Sequence, residues 1–175
     1  MASTRRPLPP PEVESRLRAQ FGDDVVSFEE QHGHSVVGVN PARYRELVMF
    51  LRDDPAFACD YCDFTGGVDF GDDGFQVITH LFSTTHDHNV RLKVRLPREN
   101  PVCPTISDIF PGANWHERET REMFGIEFEG HPLPVKLLLS EPFEGHPLRK
   151  DFPLMSREAK PWPGAVEGEE EEEEE

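Results

Sequence analysis

Residues 57–96 read FACDYCDFTGGVDFGDDGFQVITHLFSTTHDHNVRLKVRL, and the alternation inside this stretch sets the fold class. Val90, Leu92, Val94 and Leu96 occupy every second position, the period at which successive side chains point to opposite faces of a strand. Residues 75–83 (FQVITHLFS) and 57–65 (FACDYCDFT) are also rich in β-branched and aromatic side chains, so three strands are predicted. Gly66-Gly67, the run from Gly71 to Gly74, and residues 85–89 supply the turns between them. Adjacent strands joined by short turns make a largely antiparallel sheet, whose apolar face is covered by helices on one side. The predicted class is α+β.

Working outward toward the N-terminus, Tyr44, Leu47, Val48 and Leu51 form an i, i+3, i+4, i+7 stripe that predicts an amphipathic helix. Asn40 is placed to cap it, with Pro41 at its first position. Residues 25–29 and 35–39 are two short β-prone runs separated by a turn at Gly33, which reads as a hairpin. Val13, Leu17 and Phe21 recur every four residues and Gly22 follows, predicting a first helix from about Glu12. Residues 1–11 hold four prolines without periodicity and are expected to form a mobile arm.

Toward the C-terminus, residues 97–112 read as a proline-rich connector containing one apolar piece, residues 106–110. A short helix is predicted over residues 115–124, with Asn114 as N-cap, Glu117 at the third helical position and Gly125 as the left-handed stop. Its charges fall into i, i+4 pairs, Glu117 with Arg121 and Arg118 with Glu122, each worth a few tenths of a kcal/mol if solvated. The hexapeptide Phe-Glu-Gly-His-Pro-Leu then appears twice, at 128–133 and 143–148. Each copy is a turn signal, since Gly precedes His-Pro and the residue before proline is driven to extended geometry. The predicted organisation is a mobile arm (1–11), an α+β domain (12–112), a helix with an extended partner-docking segment (113–155) and an acidic disordered tail (156–175).

The chain has 175 residues and a formal net charge of −16, of which Glu167 and the seven glutamates at 169–175 supply eight. A like-charge run of this kind repels itself and is expected to be solvated. The acidic balance argues against nucleic acid and against an anionic lipid surface as direct partners. No apolar run approaches the roughly 18 residues that span a bilayer, and the start MASTRRPLPPPE lacks the apolar centre of a signal peptide. Membrane attachment is therefore expected only through other subunits.

Three cysteines without an export signal predict reduced thiols. Cys59 and Cys62 have zinc-ribbon spacing, with Cys103 as a third candidate. On a strand, side chains three apart point to opposite faces, which opposes joint ligation. His86 with His88, and His32 with His34, fall at predicted turns and read as solvated. His116-Glu117 begins like a zinc-protease helix, but position 120 is Thr where His is needed. Glu117, Glu119 and Glu122 are the carboxylates available for acid–base work, although the interleaved arginines favour ion pairing.

The order Glu117-Arg118-Glu119, Glu122-Met123-Phe124-Gly125, His131-Pro132 and Gly145-His146-Pro147-Leu148-Arg149-Lys150-Asp151 resembles the signature of one hydrophilic-arm family, the C subunits of proton-pumping NADH:quinone oxidoreductase, respiratory complex I. The match is close over residues 115–154 and looser at Asp63-Phe64-Thr65 and Val68-Asp69. Val135 stands where the family usually has a basic residue or proline, with Lys136 next to it. The resemblance implies a structural subunit with no catalytic residue and no cofactor or metal of its own, FMN and iron–sulfur clusters being held by other subunits. It implies contacts with the D subunit, which forms the quinone site, and with the iron–sulfur B and I subunits, at the cytoplasmic side of the cell membrane. The implied partner interface comprises Trp115, Glu117, Arg118, Glu119, Glu122, Met123, Phe124 and Gly125 on the helix, then His131, Pro132, His146, Pro147, Leu148, Arg149, Lys150, Asp151 and Phe152 beyond it. On this reading some of the helix charges are buried against a partner, where removing one member of a pair costs about 3 to 5 kcal/mol. The alternatives are the equivalent subunit of an F420-linked dehydrogenase or a membrane-bound hydrogenase, and a stand-alone cysteine-based metal or redox protein.

Overall fold

The structure, a computed structural model, describes residues 7–153; the tail predicted over 156–175 lies outside them, as do residues 1–6. Helix α1 (Pro10–Phe21) leads into the hairpin β1 (Val25–Gln31) and β2 (His34–Val39), followed by α2 (Tyr44–Asp53). The meander β3 (Tyr61–Asp69), β4 (Phe75–Ser83) and β5 (His88–Leu96) comes next, then β6 (Val102–Pro104), α3 (Ala113–Phe124) and β7 (Glu127–Glu129).

Strand order in the main sheet is β1-β2-β5-β4-β3. β1/β2, β4/β5 and β3/β4 pair antiparallel, and β2 pairs with β5 in parallel, so the sheet is mixed. The parallel pairing arises because β5 returns from the meander to the free edge of β2, with α2 forming part of the crossover between them. The predicted alternation on β5 holds: Val90, Leu92 and Val94 are fully buried and Arg91 and Lys93 are not. Val77, Thr79 and Leu81 of β4 share that inner face, where they meet Val13 and Leu17 of α1 and Tyr44, Leu47, Val48 and Leu51 of α2. Burying a leucine or valine this way stabilises by about 1.5–3 kcal/mol each. The buried Tyr44 hydroxyl is 2.7 Å from Thr79 Oγ1, which is 3.2 Å from Thr65 Oγ1, so the polar atoms in this core satisfy one another.

Several sequence expectations are corrected. Helix α1 starts at Pro10, not Glu12, because proline fits the first turn, where an N–H has no partner. Residues 57–60 precede the strand, which starts at Tyr61; Ala58 has a positive φ of 44°, and Cys59 therefore lies off the period-2 geometry assumed for it. His88 is a buried strand residue whose Nδ1 accepts the Leu8 amide at 3.3 Å, and burial pushes its pKa down. The connector and the first hexapeptide pair through the parallel strands β6 and β7, with Cys103 opposite Phe128. Strands of three residues carry no periodicity to read.

Gly66-Gly67 is not a turn but the interior of β3. A Cβ on Gly67 would lie 2.7 Å from Phe124 Cδ2 and 3.0 Å from Thr120 Cγ2, so the missing side chain is what lets α3 lie directly on β3. Gly67→Ala is expected to cost about 1–3 kcal/mol by overpacking. Gly66→Ala, whose Cβ would meet only Phe64 at 4.0 Å, is expected to stay within about 0.5 kcal/mol. Urea unfolding of the two variants tests the contrast.

Candidate partner-docking site

Helix α3 follows Gly112, and no side chain caps its N-terminus. Asn114 lies inside the helix rather than at its cap, and Glu117 is drawn into the core instead of reaching back to a cap. Glu117 is fully buried: Thr105 Oγ1 and the Ile106 amide (2.7 Å) donate to its carboxylate. These two donors fasten the loop after β6 to the helix, and the predicted Glu117–Arg121 pair does not form. Arg121 turns to Glu127 (2.9 Å) and to the Pro134 carbonyl (3.0 Å).

His131 closes the same site from the other side. The Leu133 amide donates to its Nδ1 (3.1 Å), which leaves the proton on Nε2 to be donated to the Asn114 carbonyl at 3.3 Å. That Nε2 is 3.8 Å from the Glu117 carboxylate. Burial pushes the Glu117 pKa up to about 7, against the opposing pull of the Thr105 and Ile106 hydrogen bonds. A shallow cleft nearby is lined by Arg45, Ser107 and Asp108. Arg45 crosses it to the Thr105 carbonyl and to Asp108.

Glu122 is the second buried carboxylate, and it too turns away from its predicted partner, Arg118. Three consecutive amides, Leu137 (3.0 Å), Leu138 (2.9 Å) and Leu139 (2.6 Å), converge on its two oxygens. Burial raises its pKa, but these amides and Lys136 outweigh burial and the net shift is downward, as expected for an anion cradled by main-chain donors. Arg118 instead donates to the Val135 (3.0 Å) and Lys136 (2.9 Å) carbonyls. The residues after β7 are irregular, so their backbone groups have no ladder to join. The helix side chains take the place of one.

The second hexapeptide caps the end of α3. His146 Nδ1 donates to the Glu122 carbonyl (2.8 Å), the Leu148 amide to Met123 (3.1 Å), and Arg149 Nε to Phe124. These are the carbonyls a helix C-terminus leaves without partners, and a cationic guanidinium there also meets the negative end of the dipole. Gly125 is left-handed as predicted, with φ 71°, and a Cβ on it would collide with Arg149 Nη2 and lie 2.6 Å from His146 Nε2. Farther on, the Lys150 amide donates to Asp69 (2.7 Å), and Arg98 bridges Asp69 (3.0 Å) and Asp151 (2.7 Å). Residues 145–153, predicted as part of an extended partner-docking segment, are held to their own domain by these polar contacts.

Of the predicted interface residues, Glu117 and Glu122 spend their polar groups inside the chain, and so do Arg118, His131, His146 and Arg149. Met123, Phe124, Pro147 and Phe152 are partly covered, while Trp115, Glu119, Pro132, Leu148, Lys150 and Asp151 are exposed. Thr105 and Arg98 escape a sequence reading, as do the roles of Asp69 and Gly67, because each acts through a residue far away in the chain. The cysteines are buried or half-buried thiols whose pKa burial pushes up, to about 12 at Cys59 and about 11 at Cys62, which disfavours the thiolate needed for ligation or redox attack. Among the described residues no group of three His, Cys, Asp or Glu side chains is placed to hold one metal ion.

A carboxylic acid whose folded pKa lies above its unfolded value stabilises below the unfolded value and loses that contribution as pH rises through the folded one. With Glu117 moving from 4.5 to about 7, Glu117→Gln is expected to match the wild type near pH 4.5. It should exceed the wild type by about 2–4 kcal/mol at pH 8, as read by urea melts at both pH values. Glu122→Gln removes the charge and exchanges one of the two accepting oxygens for an NH2 donor, and faster hydrogen exchange at residues 137–139 with little change in the main sheet is the expected outcome.

The family model described as respiratory-chain NADH dehydrogenase, 30 kDa subunit, matches residues 37–158. The NADH-quinone oxidoreductase C subunit of Roseiflexus castenholzii is 42% identical over 150 residues, covering 85% of this chain and 86% of that protein. Its counterpart of the same name in Xanthobacter autotrophicus is 46% identical over 148 residues, covering 81% and 68%. Among solved structures, a trypsin-resistant fragment of Nqo5 (1–134) superposes with a TM-score of 0.59 at 27% identity, covering 69% of this chain and 96% of the fragment. A chain of the membrane-bound sulfane sulfur reductase, an archaeal respiratory membrane complex, shares the fold with a TM-score of 0.71 at 22% identity, covering 83% and 86%. With the family model spanning most of its length and relatives of that identity over most of theirs, the chain belongs to the 30 kDa subunit family of respiratory-chain NADH dehydrogenase.

Proposed function

We propose that this chain is a non-catalytic structural subunit of a proton-pumping NADH:quinone oxidoreductase, the complex that carries electrons from NADH to quinone. In this reading it braces the D subunit at the quinone site against the iron–sulfur B and I subunits, while FMN and the clusters are held elsewhere. The observation that carries it is the surface around α3. Five of the ten large hydrophobic side chains exposed among the described residues, Trp115 (62% exposed), Leu133 (51%), Val135 (48%), Leu138 (60%) and Leu148 (55%), fall in α3 and the segment after it, which hydrogen bonds hold in place. Large apolar side chains left in solvent by an ordered segment favour a protein contact, and a surface fixed in advance loses less entropy on docking. The full burial of Glu117 supports a structural rather than an acid–base role for it, since a catalytic carboxylate must reach its substrate.

Membrane attachment through neighbouring subunits is part of the same proposal; no helix among the described residues is long and apolar enough to cross a bilayer. A second reading, service in a different membrane-bound respiratory complex, is favoured by the fold shared with the sulfane sulfur reductase chain. Purification of the tagged protein in mild detergent, with identification of the proteins that accompany it, separates the two. The accompanying proteins should be NADH dehydrogenase subunits, and their recovery should fall at least tenfold with Trp115→Asp plus Leu138→Asp while the isolated chain's urea midpoint stays unchanged. Undiminished recovery with both aspartates overturns the interface, and recovery of a reductase or hydrogenase instead supports the second reading.

A further inference from the structure

The face of the main sheet opposite the helices carries a pattern that the core does not explain. Because Val90, Leu92, Val94 and Leu96 point inward, Arg91, Lys93 and Arg95 all point outward along one strand, spanning about 13 Å at the strand rise. Beside them Arg95 lies 3.9 Å over the Phe70 ring. A groove of about 490 Å³ runs along this face, lined by Val26, Gly38, Phe70, Gln76, Lys93 and Arg95. Val26 is 68% exposed and Phe70 37%. The cross-strand pair His80 and Arg91 adds two buried nitrogens, His80 Nε2 and Arg91 Nε, without a hydrogen-bond partner among the described residues. The carboxylates that reach these cations are Glu29, 4.0 Å from Lys93, and Asp63, 3.2 Å from His80.

In a chain of net charge −16, a three-cation stripe on a sheet face that no helix covers among the described residues calls for an acidic occupant, and one is tethered nearby. The chain is tied by Asp151 to Arg98, which also binds the Asp69 carboxylate and the Gly71 carbonyl. Those two residues flank Phe70, so the chain leaves the described structure at the end of the sheet where the groove opens. Fifteen residues lie between Asp151 and Glu167, a span of up to about 50 Å.

We propose that the acidic run, Glu167 with the glutamates at 169–175, lies across this outer face on Arg91, Lys93 and Arg95 in the free subunit. The contact needs no single geometry: eight carboxylates in one run satisfy a row of cations in many registers, and attraction between exposed charges falls with salt. Solvent is the best partner for a poly-glutamate run only where no cationic surface is tethered beside it. Held there, the run neutralises the stripe and shields Val26 and Phe70 from unselective contacts. The face is separate from the surface around α3, so this inference stands or falls independently of the protein's place in a complex.

Zero-length carbodiimide cross-linking of the purified full-length chain, read by peptide mass spectrometry of the separated monomer and dimer fractions, tests it. Lys93 has a built-in reference in its neighbour Glu29. The expected result is a Lys93 product with the 167–175 glutamates, formed within one chain. It should drop about fivefold in roughly 0.5 M salt and about threefold in Arg95→Gln, a surface substitution that keeps the Lys93 amine. A Lys93–Glu29 product without a tail product overturns the proposal. So does a tail product insensitive to both salt and Arg95→Gln, or one confined to covalent dimers.

Discussion

Two carboxylates taken out of water on one short helix hold the second half of this structure together. Glu117 and Glu122 are five residues apart, which at 100° per residue places them on well-separated sides of α3. One faces the loop after β6 and the other the segment after β7. A buried carboxyl without partners costs several kcal/mol, so each position is tolerable only if donors are delivered to it. The donors are mostly main-chain amides from segments with no regular hydrogen-bond ladder: Ile106 for Glu117 and residues 137–139 for Glu122. Helix and loops thus satisfy one another's polar groups.

The two environments shift the two carboxyls in opposite directions. Glu117 meets a hydroxyl and one amide in a dry site, and burial wins, raising its pKa. Glu122 meets three amides with Lys136 nearby, and the donors win. The first carboxyl favours the acid form that fits a neutral core, while the second remains an anion that organises the chain around it. Carboxyls of the same type in the same helix therefore serve as an apolar-side staple and as a charged hub.

Helix α3 is fixed at both ends and along its underside. Gly67 lets it approach β3, the β6–β7 pairing closes around it, and His146, Leu148 and Arg149 cap its last carbonyls. With several of its polar groups spent inward, the region leaves Trp115, Leu133, Val135, Leu138 and Leu148 facing solvent beside its exposed charges. Irregular segments usually offer mobile surfaces; here a dense set of main-chain contacts turns one into a surface with a defined shape.

Periodic features were legible in the sequence. The strands at 75–83 and 90–96, the α2 stripe, the hairpin turn at Gly33 and the left-handed Gly125 all follow from local side-chain spacing or backbone sterics, which act within a few residues. The ordered motif at 115–154 also identified the family. What the sequence left open depends on partners distant in the chain. Glu117 and Arg121, or Arg118 and Glu122, read as surface pairs because the i, i+4 rule sees only the helix; the competing donors at 105–106 and 137–139, and the acceptors at 134–136, arrive through tertiary packing. Gly67 reads as a turn until α3 is seen lying on it, and the cations of β5 read as the polar half of an alternation until the absence of helices on that face, among the described residues, makes them a stripe. Local spacing determined the elements, and tertiary structure decided which charges are buried, because burial is a property of what arrives from elsewhere.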